Sequence, residues 1–208
     1  VIAVTDDAYF GLFYTPDALR ESLFARLCQR HPRLLAVKLD GATKENFVWG
    51  LRVGFITYGC PLSGDPLPAY DALERKTAGS IRGAISNASH LSQRLVLQSM
   101  RSPGYRAEKQ EKFEILKARA ERVHQVLADP KYAWAWEVYP FNSGYFMSFL
   151  CRGISADALR RRLLDRGIGT IALQDRLLRV AYASIDVSGL EELYREIFAA
   201  ADEMAAGK

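Results

Sequence analysis

Apolar and polar positions along the chain switch repeatedly between a two-residue and a helical period, so strands and helices are predicted in alternation. Val1-Ile2-Ala3-Val4 is a short, largely β-branched run that ends at the polar pair Asp6-Asp7 and reads as a buried strand. Over residues 16–30, Leu19, Leu23, Phe24 and Leu27 form a helical stripe, with Thr15 as its expected start. Leu34-Leu35-Ala36-Val37-Lys38-Leu39 predicts the next strand, and residues 53–58 another. A helix between two strands predicts a βαβ crossover. Residues 59–68, with three prolines and two glycines, must be a loop.

The rest of the chain keeps alternating. Residues 69–100 read as mostly helical, interrupted around Gly79, Gly83 and Ser86-Asn87-Ala88-Ser89. Ser102-Pro103-Gly104 breaks the chain, and a long helix is predicted over 107–128, where Phe113, Leu116, Ala120, Val123 and Leu127 make one apolar seam. Residues 134–138 and 144–150 read as strands, followed by a helix over 156–166 with Ser155 as N-cap and Gly167 as stop. Two further strands are predicted at 168–173 and 177–183. Ser188 and Glu191 have the spacing of a capping box, which predicts a last helix running to about Met204.

Composition narrows the function classes. The chain has 208 residues, 49% hydrophobic and 25% charged, which is ordinary for a globular protein and enough for one or two domains. A net charge of +4 and a pI near 9.0 are mildly basic. No aromatic-interleaved basic stripe accompanies them, and Arg160-Arg161-Arg162 with Arg166 reads as a solvated helix face, so no nucleic-acid partner is expected. Three cysteines (Cys28, Cys60, Cys151) and three histidines (His31, His90, His124) are scattered, so neither a disulfide framework nor a metal site is expected. A reducing cytoplasm fits that cysteine usage best. No run approaches the ~18 apolar residues of a membrane span, and no membrane association is expected.

The densest chemistry lies in Gly41-Ala42-Thr43-Lys44-Glu45-Asn46-Phe47-Val48-Trp49-Gly50-Leu51-Arg52-Val53-Gly54. A lysine just after small residues and an arginine eight positions later can face one point from the two ends of a loop. A phosphorylated aldehyde would suit both groups. A deprotonated amine condenses with the aldehyde, and a guanidinium grips the phosphate with two parallel hydrogen bonds. Asp6 falls at the carboxyl end of a strand, where open α/β sheets bind ligands, although the residue alone also reads as a turn or cap aspartate.

This stretch resembles the lysine segment of the class I/II, fold-type I aminotransferases, which bind pyridoxal phosphate. Two further segments agree in order: Asp6-Asp7-Ala8-Tyr9-Phe10-Gly11 resembles the family's Asp-x-x-Tyr turn, and Leu178-Arg179-Val180-Ala181-Tyr182-Ala183 its substrate-carboxylate strand. The resemblance covers essentially the whole chain. It implies an α/β fold: an incomplete large domain with a mostly parallel sheet and helices, plus a small C-terminal α+β domain. The domains would be 1–103 and 104–208, the second beginning with the long interdomain helix. The first half of the usual polypeptide is expected to be missing, leaving a fragment without activity of its own.

The same resemblance implies roles. Lys44 would be catalytic and hold pyridoxal phosphate. Asp6 would face the pyridine nitrogen, Tyr9 the ring's phenolic oxygen and Arg52 the phosphate, while Arg179 would bind the α-carboxylate of an amino acid. Amino-acid and 2-keto-acid substrates and a homodimer are implied for the parent. Arg82, in a segment similar to one facing the partner's site, reads either as a second carboxylate contact or as a solvated helix arginine. Gly41 stands where the family commonly has a phosphate-binding serine. Two alternatives stay open: a lyase or decarboxylase on the same scaffold, and a non-catalytic, self-associating module.

Overall fold

The computed structural model describes residues 1–207 and divides them into two compact units. Unit 1 comprises residues 1–13 and 17–109; unit 2 comprises residues 14–16 and those from Gln110 onward.

Unit 1 is built on three strands, β1 (Ile2–Asp6), β2 (Leu35–Gly41) and β3 (Gly54–Gly59), in the order β1-β2-β3. β1 and β2 pair in parallel, with Asp6 opposite Leu39, and the crossover between them carries the short helix α1 (Leu23–Leu27). β2 and β3 are antiparallel, and the segment joining them holds the single turn α2 (Ala42–Glu45) and a 3-10 turn (Trp49–Leu51). The sheet is therefore mixed. Helices α3 (Leu67–Ile85) and α4 (His90–Arg101) follow, separated at Ser86 as the polar stretch predicted, whereas α3 runs unbroken through Gly79 and Gly83, where interruptions were expected.

The helix expected over 16–30 shrinks to the five residues of α1. Ser22 is its N-cap, accepting from Phe24 N at 3.1 Å, and the same hydroxyl donates to Asp7. That long-range bond fixes Ser22 in an extended conformation (φ −63°, ψ 135°), so the residues before it cannot continue the helix.

Helix α5 (Tyr105–Leu127) runs from unit 1 into unit 2. Unit 2 has a four-stranded antiparallel sheet in the order β4-β5-β7-β6, from β4 (Trp136–Val138), β5 (Phe146–Cys151), β6 (Ile171–Leu173) and β7 (Leu177–Ala181). Helices α6 (Ala156–Asp165) and α7 (Leu190–Ala206) pack on each other and supply Leu159, Leu163, Leu190, Tyr194 and Ile197, all fully buried. Ser155 caps α6 by accepting from Ala158 N at 3.1 Å, and Gly167 follows that helix with φ +77°, as read from the sequence. The capping box does not form. Ser188 lies in a 3-10 turn (Val187–Gly189) whose Gly189 N–H is taken by Asp186 O at 2.9 Å, so Gly189 occupies the N-cap position without a side-chain bond.

Candidate functional site

The lysine loop leaves β2 through Gly41 and re-enters the sheet through Gly54, its register partner. A Cβ on Gly41 would stand 3.0 Å from Val53 O, so glycine is what lets the two strands close here. The serine common in the family would need that carbonyl to shift by a few tenths of an ångström. Ala42 N donates to Val53 O at 3.2 Å and starts α2. Behind the loop, Ala42, Val53 and Val96 are buried together, with Val48 and Leu51 packed against them.

Two residues of the loop have left-handed backbone, Phe47 (φ 58°) and Arg52 (φ 54°, ψ 43°). Such a conformation costs a non-glycine residue about 1 kcal/mol, so packing elsewhere in the loop must hold it. The Arg52 guanidinium makes no hydrogen bond or ion pair with any described residue, and Arg52 lines a cleft of about 390 Å³.

Asp6, Ala8, Asp40, Thr43, Lys44 and Arg52 are among the residues lining that cleft. Of the residues predicted for the site, Asp6, Lys44 and Arg52 are thus brought together. Tyr9 joins them through its ring, whose centre lies 5.3 Å from Lys44 Nζ. Asp6 accepts from Ala8 N at 3.1 Å and has no ion pair among the described residues. Lys38, by contrast, is committed: it donates to Asp40 at 2.7 Å, with Asp7 4.0 Å away, and the Asp40 hydrogen bond holds its ammonium above the usual lysine range. Asp40 accepts from Gly41 N as well, at 2.7 Å, so the cleft's second carboxylate is already engaged.

Asp40 and Thr43 were not singled out in the sequence. For Asp40 a signal existed: it is the last residue but one of β2, beside the strand-ending Asp6 of its parallel neighbour β1. Thr43 is the one neutral hydroxyl of the cleft's lining and stands beside Lys44, on the side where Gly41 lacks one.

Arg179 belongs to unit 2. It lies on β7, opposite Ser148 of β5 and Ile171 of β6, half-buried, with its guanidinium carbon 4.3 Å above the centre of the Phe146 ring. It makes no ion pair with any described residue. Arg82 donates to Ser86 Oγ at 2.7 Å at the end of α3 and is exposed. Among the described residues no group of His, Cys, Asp or Glu side chains could hold a metal ion, and no helix is long and apolar enough to cross a membrane.

A sequence model of the aminotransferase class I and II family matches residues 1–197. The chain belongs to that family. Solved structures agree on the fold. LysN, the α-aminoadipate aminotransferase of Thermus thermophilus, solved with N-(5'-phosphopyridoxyl)-L-leucine, superposes with a TM-score of 0.76 at 24% identity, over 100% of this chain and 52% of that one. An aminotransferase from Anaerococcus prevotii gives 0.75 at 19% identity, over 97% and 47%. The kynurenine aminotransferase of Pyrococcus horikoshii, in complex with PMP, gives 0.75 at 15%, over 98% and 48%. The chain thus spans about half the length of the structures it matches. A comparison with curated proteins finds no match.

Proposed function

We propose that the whole protein is a pyridoxal-phosphate-dependent aminotransferase, moving an amino group between an amino acid and a 2-keto acid. The observation that carries this reading is the gathering of Lys44, Arg52 and Asp6 on one cleft, in a chain of the class I and II aminotransferase family. The donor set fits the cofactor: one amine for an aldehyde, one guanidinium without an internal partner for a phosphate, one carboxylate without an ion pair for a ring nitrogen. Lys44 would hold the aldehyde, Arg52 the phosphate, Asp6 the protonated ring nitrogen, and Tyr9 the phenolic oxygen. When bound, the cofactor supplies an electron sink for the carbanion formed at the substrate's α-carbon.

The chain's own residues do the rest. Once the substrate's own amine has taken its place on the aldehyde, the freed amine of Lys44 would take and return the α-proton as a general base and acid. Arg179 would bind the α-carboxylate of the amino acid through a bidentate fork; its guanidinium carbon stands 4.3 Å from the centre of the Phe146 ring. A homodimer is part of the proposal for the whole protein, as is a cytoplasmic location.

A second reading, self-association through unit 1, is favoured by two features. β1 and β3 are both sheet edges, and α3 has no buried residue. Sedimentation of the chain across a concentration series tests it; a monomer at every concentration removes it.

The functional reading is tested by mixing the chain with pyridoxal phosphate beside a Lys44→Ala variant. The expected result is a visible absorption band that requires Lys44 and is discharged by borohydride. A band of equal size in both chains would overturn the assignment of Lys44. In the protein of full length, keto-acid-dependent transfer is the expected activity, and pyruvate release without a keto acid would favour the lyase.

A further inference from the structure

Lys44 stands on α2, a single helical turn that is too short to hold its own shape in water. Two side chains of α5 bind the two residues that follow it. Lys109 Nζ donates to Glu45 Oε1 at 2.5 Å, and Tyr105 Oη donates to Asn46 Oδ1. Tyr105 and Lys109 are one turn apart, so a single face of α5 presents both groups. Each side chain of the Glu45–Lys109 pair is 31% exposed, whereas an ordinary surface pair of this chain, Arg75–Asp71, is 77% and 54% exposed. Water screens the first pair less, and it holds its geometry better.

Glu45 touches a second element of the site. A Cβ built on Gly11 would stand 3.3 Å from both Cγ and Oε1 of Glu45, and Gly11 has φ +94°, which only glycine adopts readily. The missing side chain lets the turn carrying Tyr9 lie directly on Glu45. One carboxylate therefore meets α5 on one side and the Tyr9 turn on another, one residue away from Lys44.

We infer that Glu45 is a positioning residue for Lys44, held from α5 by Lys109 and seated against Gly11, so that the amine keeps its place 5.3 Å from the centre of the Tyr9 ring. The inference rests on the proposed role of Lys44, and goes beyond it by assigning a task to three residues outside the cleft. Its physical reason is the sensitivity of covalent attachment to approach geometry: an amine free to wander by an ångström spends most of its time out of line with the aldehyde.

The test compares the parent chain with Lys109→Met, Lys109→Arg and Arg122→Met. Borohydride trapping of pyridoxal phosphate on Lys44, followed by peptide mapping over a range of cofactor concentrations, separates the limiting attachment rate from the half-saturating concentration. Lys109→Met is expected to slow the limiting rate about tenfold while the half-saturating concentration changes little. Lys109→Arg, which keeps the charge within reach of Glu45, is expected to restore the rate. Arg122→Met breaks an ion pair of the same length in unit 2, Arg122–Glu191 at 2.5 Å, and is expected to attach cofactor as the parent does.

Lys109→Met reacting at the parent rate overturns the inference, and so does Arg122→Met slowed to the same extent. A second measurement needs no cofactor: acetylation of Lys44 by a hydroxysuccinimide ester, relative to exposed Lys76 in the same chain. The ratio is expected to move toward one in Lys109→Met, and an unchanged ratio overturns the inference. Should the parent chain attach no pyridoxal phosphate at Lys44, the acetylation ratio alone decides the positioning role.

Discussion

The two units differ sharply in how they use apolar residues. In unit 2 both central strands alternate between buried and half-buried positions, with Met147, Phe149, Leu178 and Val180 turned into a core shared with α6 and α7. Among the described residues of unit 1 the buried hydrophobic side chains are Leu12, Ala36, Val37, Ala42, Val53 and Val96, while Val1, Ile2, Val4, Phe55 and Ile56, in or beside its outer strands, are exposed. The chemistry-bearing cleft belongs to the thinly packed unit. Its geometry is held by specific devices: the Gly41–Gly54 closure, the Glu45–Lys109 and Asn46–Tyr105 bonds, and the Ser22–Asp7 bond. Unit 2 relies on bulk burial, which tolerates loss of any one polar contact but not of a large core side chain.

The largest expected effect is therefore in unit 2. Phe149 is fully buried and stacks with Trp136 at 4.4 Å between ring centres, so Phe149→Ala should cost about 3–5 kcal/mol in urea unfolding. Native-state hydrogen exchange sharpens the point. Protection in β5 and β7 should fall while that of β2 stays as in the parent. Equal losses in β2 would mean the units open together, and the contrast would not hold.

Next comes Gly11→Ala, which puts a side chain at φ +94° and against Glu45. It should destabilise the chain by about 1 kcal/mol or more. Thermal unfolding reads that loss, and a neutral result would show the Tyr9 turn free to move off Glu45. A pH-dependent effect follows from Cys151 in unit 2, where burial pushes the thiol up to about 11 from an ordinary 9.0. Because the folded chain keeps this proton longer than the unfolded chain, the contribution is intact below the unfolded value and is lost as pH rises toward the folded one. Relative to Cys151→Ala, the parent should lose stability between about pH 9 and 11. A constant difference would mean that the thiol is solvated.

Local signals were legible in the sequence wherever the structure uses them locally. Ser155 and Gly167 bound α6 because a cap needs only its own helix. The long helix and the strands of unit 2 followed from period, and the break at Ser86 from its polar stretch. The expected helix over 16–30 failed because Ser22 is tied to Asp7, fifteen residues away, and stripes carry no record of such a bond. The expected capping box failed because a 3-10 turn displaced the helix start by one residue. At the cleft, Asp6, Lys44 and Arg52 were legible through the family's motifs, and the place of Asp40 near the end of β2 could have added it. The Glu45–Lys109 pair could not be read, since 64 residues separate two ordinary surface residue types.

The smallest expected effect probes the thin side of the contrast. Ile85 ends α3 with 66% of its surface exposed, and the helix buries none of its residues. If that face is open to water, Ile85→Ser removes no packing and should change unfolding stability by less than about 0.5 kcal/mol. The same substitution in an occupied face would cost several times more, and the cost would grow with protein concentration, because a second copy would be what covers it. Measuring the variant at two concentrations therefore separates a face that is merely exposed from one that pairs.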